Sequence, residues 1–451
     1  MVQVASIILA LAAVAQVASK DFVVRRTRFH GHGHGHGHGP GPVHPQPQPP
    51  HIPSQKSPPT GNITTVSFPT TSGGSCSGLS PLVVGCPMGF GAKATGGGNA
   101  TPVYPQSLHD LTTYLMSDEP QVIVLTKEFN FIGSEGKATG HGCAPWGSAP
   151  GCQVALDLKN KRWCDTYEPK APKLNSIPYD AAGPVAMTLK SHKTLIGKGS
   201  AGVIRGKGIR LSGVDNVIIQ NIKITEINPK TVWGGDAIDL AGASNVWIDH
   251  VTISQIGRQM IVAHERPNRD VTISNVHLDG ATPYSSFCNG QQYWVAKFSG
   301  TDDTITLSNS YFSKFMGRAP QVGGDGGSTL VHIINNVWEG SSSEAHAFEV
   351  LKGGVVLAEG NYVANTPLVV DKSNGFFSLY TADSSSKAAA CNKVLGRDCS
   401  VNVLEDSEQF VGDKMAVLSA GDWKSLSSVP KAQAAGSIRD KVVGWAGYGK
   451  F

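Results

Sequence analysis

The chain has 451 residues, a formal net charge of +4, 53 glycines and only 16% charged residues. The low charge content and the many glycines exclude a coiled coil, a helical bundle and a mainly disordered chain. So small a net charge gives no argument for nucleic-acid binding. The 40% of hydrophobic residues can build a large core, and no apolar stretch after residue 20 is long enough for a transmembrane helix.

The first seventy residues predict a secreted, extracellular protein with an N-terminal linker. Residues 1–19 contain an apolar run that ends in small residues, as a signal peptide does. Residues 20–70 contain HGHGHGHGHG at 30–39 and nine prolines at 40–59, a composition that cannot bury apolar surface and predicts a disordered linker. The alternating histidines could bind Zn²⁺ or Cu²⁺, but a solvated spacer is the interpretation we favour.

The cysteines predict a disulfide framework. There are eight of them, an even number, and disulfides form and persist in the oxidising compartments of secreted proteins. Cysteine count alone does not choose among the pairings. Asn62 and Asn99 begin sequons and are candidate N-glycosylation sites.

One strand phrase recurs from residue 192 onwards, with alternating apolar residues, a polar Asn or His and a further apolar pair. The polar residue recurs every 25–34 residues, at Asn221, His250, Asn275, Asn309, Asn336 and Asn361. This period is typical of coils stacked in a parallel β-helix, whereas a β-sandwich has turns every ~8–12 residues. We therefore predict an all-β protein with one parallel β-helix over residues 71–451, in which the polar residues form a hydrogen-bonded ladder at the turns.

Six motifs carry a family resemblance: VWGGDAIDL (232–240), NVWIDHVT (245–252), IGRQ (256–259), CNGQQYW (288–294), GRAP (317–320) and AHAFEV (345–350). They resemble the fungal-type pectin lyases and, more weakly, the pectate lyases of the same polysaccharide lyase family. The resemblance implies a right-handed parallel β-helix whose groove cleaves methyl-esterified polygalacturonan, or pectin, by β-elimination. It also implies the disulfides Cys143–Cys164, Cys152–Cys288 and Cys391–Cys399, which leaves Cys76 and Cys86 as the fourth pair.

The resemblance also suggests a catalytic set. β-Elimination needs a base at the C5 proton and positive groups that stabilise the enolate-like oxygen. The family likeness puts Arg318 of GRAP in the base role, although arginine is normally protonated, so a substrate clamp is the alternative. Asp249 of WIDH, Arg258 and Arg269 complete the predicted set. Arg269 lies one residue before the position that the family pattern expects, so Arg258 could take its role.

Four aromatic residues are candidates for substrate binding, because aromatic rings can stack on sugar faces. They are Trp233, Trp247, Tyr293 and Trp294. Each tryptophan could equally belong to the core, and the sequence leaves that alternative open.

The expected cofactor requirement separates two branches of the family. The resemblance implies that pectate lyases hold Ca²⁺ with a carboxylate pair in the interval that corresponds to residues 257–270. Here that interval lacks the pair and contains three arginines, and Asp249 alone offers too few oxygens for an ion that takes six to eight. We therefore expect no metal and no cofactor, and a monomer whose partner is pectin rather than a nucleic acid or a membrane.

Three other functions stay open: a calcium-dependent pectate lyase, a polygalacturonase and a non-catalytic wall-binding protein. Asp302 and Asp303 resemble part of a polygalacturonase motif set, but its Arg-Ile-Lys motif is missing, so we interpret the pair as a solvated turn. Gln321 stands where the family commonly has lysine and slightly favours the non-catalytic alternative. The presence of Asp249, Arg258 and Arg318 together argues against it.

Overall fold

The computed structural model describes residues 76–451, apart from 159–161, 342–343, 374–377, 411, 421–422, 427–428 and 430. The predicted signal peptide (1–19), the predicted linker (20–70) and the sequon at Asn62 lie outside the described residues. Within the described ranges, no helix combines the length and the apolar character needed to cross a membrane.

Short strands make up most of the regular structure. In chain order they are β1 (Pro102–Val103), β2 (Gln121–Leu125), β3 (Glu128–Asn130), β4 (Lys137–Cys143), β5 (Val154–Asp157), β6 (Lys173–Asp180), β7 (Met187–Thr188), β8 (Lys193–Gly197), β9 (Val203–Arg205), β10 (Ile209–Gln220), β11 (Lys223–Ile227), β12 (Thr231–Val232), β13 (Ile238–Asp249), β14 (Thr252–Ile256), β15 (Ile261–Ala263), β16 (Arg269–Ser274), β17 (His277–Asp279), β18 (Ala296–Phe298), β19 (Asp302–Ser308), β20 (Tyr311–Ser313), β21 (Gln321–Val322), β22 (Ser328–Ile334), β23 (Val337–Glu339), β24 (His346–Val350), β25 (Gly354–Glu359), β26 (Tyr362–Ala364), β27 (Leu368–Val370), β28 (Ser378–Thr381) and β29 (Val403–Glu405).

The helices are short. They are α1 (Leu108–Met116), α2 (Trp163–Tyr167), α3 (Ser385–Ala390), α4 (Asn392–Leu395) and α5 (Arg439–Trp445), with 3₁₀ turns at Gly89–Gly91, Met415–Ser419, Trp423–Leu426 and Ala435–Ser437. A capping box of Ser107 and Asp110 starts α1, which buries Leu111 and Leu115.

Nearly every strand pairs in parallel with the equivalent strand of the next coil, which confirms the predicted parallel β-helix. Face 1 contains β7, the first halves of β10 and β13, and β15, β18, β21, β24 and β27. Face 2 contains β2, β8, the second halves of β10 and β13, and β16, β19, β22, β25 and β28. Face 3 contains β3, β9, β11, β14, β17, β20, β23, β26 and β29.

Two long strands contribute to both face 1 and face 2 because each bends in its middle. Gly213 and Asn216 in β10, and Gly242 and Asn245 in β13, have positive φ angles between 50° and 85°. Glycine and asparagine adopt this left-handed backbone more readily than other residues. The bends turn each strand from face 1 to face 2.

Faces 2 and 3 are partly covered by other parts of the chain. Residues 79–97 cross face 2, where the Gly91 N–H donates to Thr272 Oγ1 at 2.9 Å. On face 3, α5 packs its apolar residues against Val337. Face 1 instead carries a row of charged side chains, described below.

The predicted hydrogen-bonded ladder is present only in part, because the sequence spacing joined two neighbouring turn positions into one series. In the described bonds, the side chain of Asn221 donates to Gly197, and those of His250 and Asn275 contact Asp249, rather than each other. Four predicted members have the left-handed backbone: Asn221, His250, Asn275 and Asn309. In the next coil Asn335, with φ 55°, takes that position instead of Asn336. Asn336 Nδ2 donates to Asn361 Oδ1 at 3.2 Å, and Asn361 Nδ2 donates to Asn402 Oδ1 at 3.0 Å, which forms a second ladder one residue further along.

Residues 137–180 leave the β-helix and form an antiparallel sheet of β4, β5 and β6, with β12 at its edge. We call these residues the excursion.

All four predicted disulfides are confirmed: Cys76–Cys86, Cys143–Cys164, Cys152–Cys288 and Cys391–Cys399. Cys143–Cys164 closes the excursion on itself and Cys152–Cys288 ties it to the loop before β18. Asn99 is exposed, and its glycosylation stays a prediction.

Candidate active site

Face 1 carries one outward row of mostly charged and polar side chains. The strand register places one residue from each of six neighbouring strands in this row: Arg210, Asp239, Val262, Lys297, Gln321 and Glu349. Paired positions of adjacent strands point to the same side of a sheet. The row therefore runs across the coils and forms a continuous charged floor, which we call the face 1 row.

Arg258 and Asp236 form an ion pair at the edge of the face 1 row, just before β15 and β13. Arg258 Nη1 lies 3.3 Å from Asp236 Oδ2, and the Gln259 N–H donates to Asp236 Oδ1 at 2.8 Å. The guanidinium carbon lies 3.8 Å from the centre of a Trp233 ring, a cation–π distance. Burial raises the pKa of Asp236, and the charge of Arg258 opposes that rise.

Aromatic rings from the excursion continue this edge. The Trp146 ring lies 6.2 Å from Trp163 and 5.9 Å from Trp294, while Trp163 lies 6.0 Å from Tyr167 and 6.5 Å from Trp233. Trp146, Tyr167 and Trp233 are partly exposed. Partly exposed rings beside a charged floor can stack on the faces of sugar rings while polar groups bind the sugar's oxygens.

Arg318 lies just before β21 and beside Trp294, whose ring is also near Trp146 of the excursion. Its guanidinium carbon lies 4.8 Å from the Trp294 ring centre and 5.4 Å from that of Tyr293, and its Nε lies 3.7 Å from Glu349 Oε2. Its backbone φ is 45°, which a non-glycine residue seldom adopts. The side chain is only 1% exposed, so a substrate reaches it only when a covering side chain moves.

One carboxylate oxygen of Glu349 accepts three hydrogen bonds. Oε1 accepts hydrogen bonds from Tyr293 Oη at 2.9 Å, His346 Nε2 at 2.7 Å and the Arg318 N–H at 3.2 Å. Burial alone would raise the pKa of Glu349, but the hydrogen bond and charge of His346 and the charge of Arg318 outweigh it and lower that pKa to about 2. Burial opposes the charged form of His346 too, yet Glu349 raises the pKa of this imidazole.

The remaining carboxylates of this region are also paired with cationic side chains. Asp239 contacts Arg210 and lies 2.9 Å from His264 Nε2. Lys297 Nζ lies 3.0 Å from Asp325 Oδ2.

The face 1 row does not fit a bound Ca²⁺. That ion takes six to eight oxygen ligands, whereas Asp236, Asp239 and Glu349 are each engaged by cations of the chain. Among the residues that the structure describes, no group of three or more His, Cys, Asp or Glu side chains is arranged to hold a metal.

The structure brings five of the eight predicted catalytic and substrate-binding residues to this site: Trp233, Arg258, Tyr293, Trp294 and Arg318. Trp233 is partly exposed, while Tyr293 and Trp294 are buried. Asp249, Arg269 and Trp247 lie on face 2 instead.

Asp249 lies at the far end of β13 from Asp236, and it is Asp236 that meets Arg258. The buried carboxylate of Asp249 is held by four neighbours: Gln220, His250, Ser274 and Asn275. Burial would raise its pKa, but the charge and hydrogen bond of His250 and the other donors lower it. These contacts stabilise the turn after face 2, and the structure gives no support to a catalytic role for Asp249.

Trp247 is a core residue, buried beneath residues 79–94, and its Nε1 donates to Ser274 Oγ at 2.9 Å. Arg269 is half-exposed and pairs with Asp302 at the start of β19. Neither residue contacts the face 1 row in any described interaction, so of Arg258 and Arg269 it is Arg258 that reaches the site.

The interpretation of Asp302 and Asp303 as a solvated turn is wrong for Asp303. Its carboxylate is buried and accepts from the Asn268 and Gly300 N–H groups, both at 2.8 Å. Burial raises the pKa of Asp303 to about 6. Asp303 therefore caps two backbone groups inside the fold.

Sequence reasoning missed Asp236 as the partner of Arg258, and Glu349 with His346 as the partners of Arg318. A signal for Glu349 was available, because it stands between Phe348 and Val350 at the outward position of a strand phrase. A charged residue there, in a strand that is otherwise buried, indicates a specific partner.

Comparison with known proteins places these features in a family. The pectate lyase family matches residues 179–451. Pectin lyase B of Emericella nidulans is 47% identical over 370 residues, which cover 82% of this chain and 94% of that protein. Pectin lyase A of Aspergillus niger is 45% identical over 370 residues, with the same coverage of 82% and 94%.

Solved structures share the fold. A pectate lyase bound to a hexasaccharide matches with a TM-score of 0.54 and 19% identity, covering 84% of this chain and 100% of that chain. Pectate lyase from Acidovorax avenae subsp. citrulli matches with a TM-score of 0.50 and 17% identity, covering 86% and 99%. At these identities the likeness supports the parallel β-helix and nothing finer.

Proposed function

The chain belongs to the pectate lyase family as a pectin lyase, and we propose that it cleaves methyl-esterified polygalacturonan by β-elimination without Ca²⁺. The observation that carries the proposal is the pairing of carboxylates on and beside the face 1 row with arginine, lysine or histidine side chains of the chain itself. Asp236 pairs with Arg258, Asp239 with Arg210 and Glu349 with Arg318.

This pairing favours an ester over a free acid as the reacting group. A free C6 carboxylate is already negative, so its enediolate needs a strong cation such as Ca²⁺. A methyl ester is neutral and its C5 proton is more acidic, so hydrogen bonds from arginine suffice to stabilise the developing oxyanion.

The elimination breaks the C5–H and C4–O bonds, and protons move at both C5 and the leaving oxygen. A base takes the C5 proton, a C4–C5 double bond forms, the C4–O bond breaks, and the leaving oxygen takes up a proton. We assign Arg318 as the base and Arg258 as the donor to the ester carbonyl, with Trp146, Tyr167 and Trp233 as the rings beside the sugar chain. Glu349 favours the protonated form of Arg318, so the base role requires that the contact between Arg318 Nε and Glu349 Oε2 loosens when substrate binds, while the hydrogen bond from the Arg318 backbone N–H to Oε1 is kept.

One assay separates this proposal from its alternatives. Absorbance near 235 nm, which reports the unsaturated uronide, is followed on highly esterified pectin and on polygalacturonate, each with and without EDTA. We expect a rise on pectin that EDTA does not change, and little rise on polygalacturonate. Activity on polygalacturonate that EDTA abolishes and Ca²⁺ restores would indicate a calcium-dependent pectate lyase. Reducing ends without absorbance would indicate a hydrolase, and no reaction would indicate a binding protein.

We also propose that the protein is secreted and acts as a monomer. Its four disulfides support secretion, because structural disulfides persist in oxidising compartments. Mass spectrometry of protein from the culture medium should find an N-terminus after residues 15–19 and sedimentation should give the mass of one chain. A retained N-terminus or a larger particle would contradict these two points.

A further inference from the structure

The site on face 1 contains a buried cluster of Tyr293, Arg318, His346 and Glu349, of which the proposed elimination itself uses only Arg318. We propose that Glu349 is the positioning residue of Arg318, and that Tyr293 and His346 hold its carboxylate in the orientation that this task needs. The proposal rests on the lyase activity proposed above and names the side chains that prepare Arg318 for it.

The first argument is the unequal use of the two carboxylate oxygens. Oε1 accepts from Tyr293 Oη, His346 Nε2 and the Arg318 N–H, all within 3.2 Å. Three donors on one oxygen fix the rotation of the carboxylate, because any turn about its last bond would break all of them. Oε2 is then the oxygen directed at the guanidinium, at 3.7 Å from Nε.

The second argument is the backbone of Arg318. Its positive φ costs free energy for a residue with a Cβ, of order 1 kcal/mol or more. The hydrogen bond from its N–H to Glu349 helps to hold this conformation, from which the side chain leaves the coil. The Glu349 carboxylate therefore holds the backbone of Arg318 through Oε1 and faces its guanidinium with Oε2.

The third argument is the glycine that precedes Arg318. A Cβ placed on Gly317 would lie 2.4 Å from the Tyr293 ring and 2.7 Å from His346 Nε2. Such contacts are far shorter than real side chains allow, so only glycine lets Tyr293 and His346 approach Glu349 together. The sequence GRAP thus supplies the arginine and also the space for the groups that hold it.

The expected consequence of disturbing the cluster is a loss of turnover. Displacing a catalytic group by about 1 Å can cost ~10²-fold in rate. Substrate affinity should change little, because Glu349 is buried and the partly exposed rings and Arg258 remain in place.

The test compares Glu349→Gln with Glu359→Gln by absorbance near 235 nm on esterified pectin. Glu359 is the carboxylate of a second buried cluster, formed with His332 and Arg397 outside face 1, so its loss removes a similar charge away from the site. Both variants should lower Tm by similar amounts, and circular dichroism verifies that each is folded at the assay temperature. We expect kcat to fall ~10²-fold in Glu349→Gln alone, with KM within about threefold of the wild type.

A gentler variant, Tyr293→Phe, covers the case in which Glu349→Gln does not fold. It keeps the aromatic ring and removes one donor to Oε1, so kcat should fall ~10-fold while KM is unchanged. Equal kcat in the two glutamine variants, or a Tyr293→Phe enzyme with wild-type kcat, overturns the positioning role. If the wild type itself gives no unsaturated product, the proposed function fails first and separately.

Discussion

Two buried His–Glu–Arg clusters in this molecule have the same composition but different geometry. In the cluster outside face 1, Arg397 holds Glu359 with both Nη atoms, at 2.8 and 3.0 Å, and His332 lies 2.9 Å away. In the face 1 cluster, the Arg318 Nε stands 3.7 Å from Glu349, and its guanidinium lies over the rings of Tyr293 and Trp294. The pKa is lowered to about 2 for both glutamates.

The two clusters differ in the hydrogen-bond partners of the carboxylate oxygens. Glu359 binds the arginine with two parallel hydrogen bonds, the geometry of a structural ion pair. Glu349 uses one oxygen for Tyr293, His346 and a backbone N–H, and it faces the guanidinium at a longer distance. Composition alone therefore does not distinguish the two clusters; their hydrogen-bond geometry does.

The largest effect should come from replacing Arg318 by lysine. Lysine keeps the charge but lacks the planar fork and differs in basicity. We expect Arg318→Lys to lose at least ~10³-fold in kcat with little change in KM, the scale of a general base together with its positioning. Kinetics on esterified pectin, with circular dichroism to verify folding, measure this.

Arg397→Lys is the matched control for that prediction. It should keep kcat within about twofold of the wild type, while its free energy of unfolding falls by about 2 kcal/mol as the two-pronged contact with Glu359 is lost. A folded Arg318→Lys enzyme with near-normal turnover would show that the two clusters do the same structural work. Arg258 would then be the next candidate for the base.

Acid should weaken both clusters. Each glutamate has a folded-state pKa of about 2, below its ordinary 4.5, so its contribution is present above pH ~4.5 and is lost as pH falls toward 2. As the pH falls from 6 to 3, protonation of each glutamate should lower the free energy of unfolding by about 2 kcal/mol. Urea unfolding at pH 6 and at pH 3 measures this fall in the free energy of unfolding. In Glu359→Gln the fall should be smaller by about 2 kcal/mol, because one of the two glutamates no longer titrates.

The contribution of the face 1 cluster to stability should also decrease as the pH rises through the pKa of His346. The pKa of His346 is raised above its ordinary 6.5, so its contribution is present below that value and is lost as pH rises through the raised pKa. His346→Gln should therefore flatten the dependence of stability on pH in that range. An unchanged slope would contradict the ion pair with Glu349.

The fold followed from the sequence because a β-helix repeats a local pattern. Alternating apolar residues, a left-handed Asn or His and the coil length are all properties of short segments, and each coil packs mainly on its neighbours. The site could be predicted from the sequence only in part. Arg258 and Arg318 sit in recognisable motifs, but their partners come from other coils. Asp236 precedes Arg258 by 22 residues and Glu349 follows Arg318 by 31.

Asp249 and Trp247 lie away from face 1 for one physical reason. Asp249 and Trp247 also lie in a family motif, yet they lie on the half of β13 that belongs to face 2, beyond the bend at Gly242 and Asn245. Residues 79–97 cover that face through contacts such as Val84 N–H to Gln220 Oε1, which join residues 136 positions apart. Local patterns do not reveal which face a distant segment will cover.

The smallest effect should come from Arg269, which the sequence placed in the catalytic set. Its guanidinium pairs with Asp302 at a half-exposed position on face 2, and surface ion pairs contribute about 0–1 kcal/mol. Arg269→Gln should therefore change kcat and KM by less than about twofold and lower the free energy of unfolding by at most about 0.5 kcal/mol. Arg258→Gln, which removes the cation from Asp236 and Trp233, is the matched comparison and should lower kcat strongly. A large kinetic loss in Arg269→Gln would mean that face 2 takes part in the reaction, and it would break the assignment of the site to face 1.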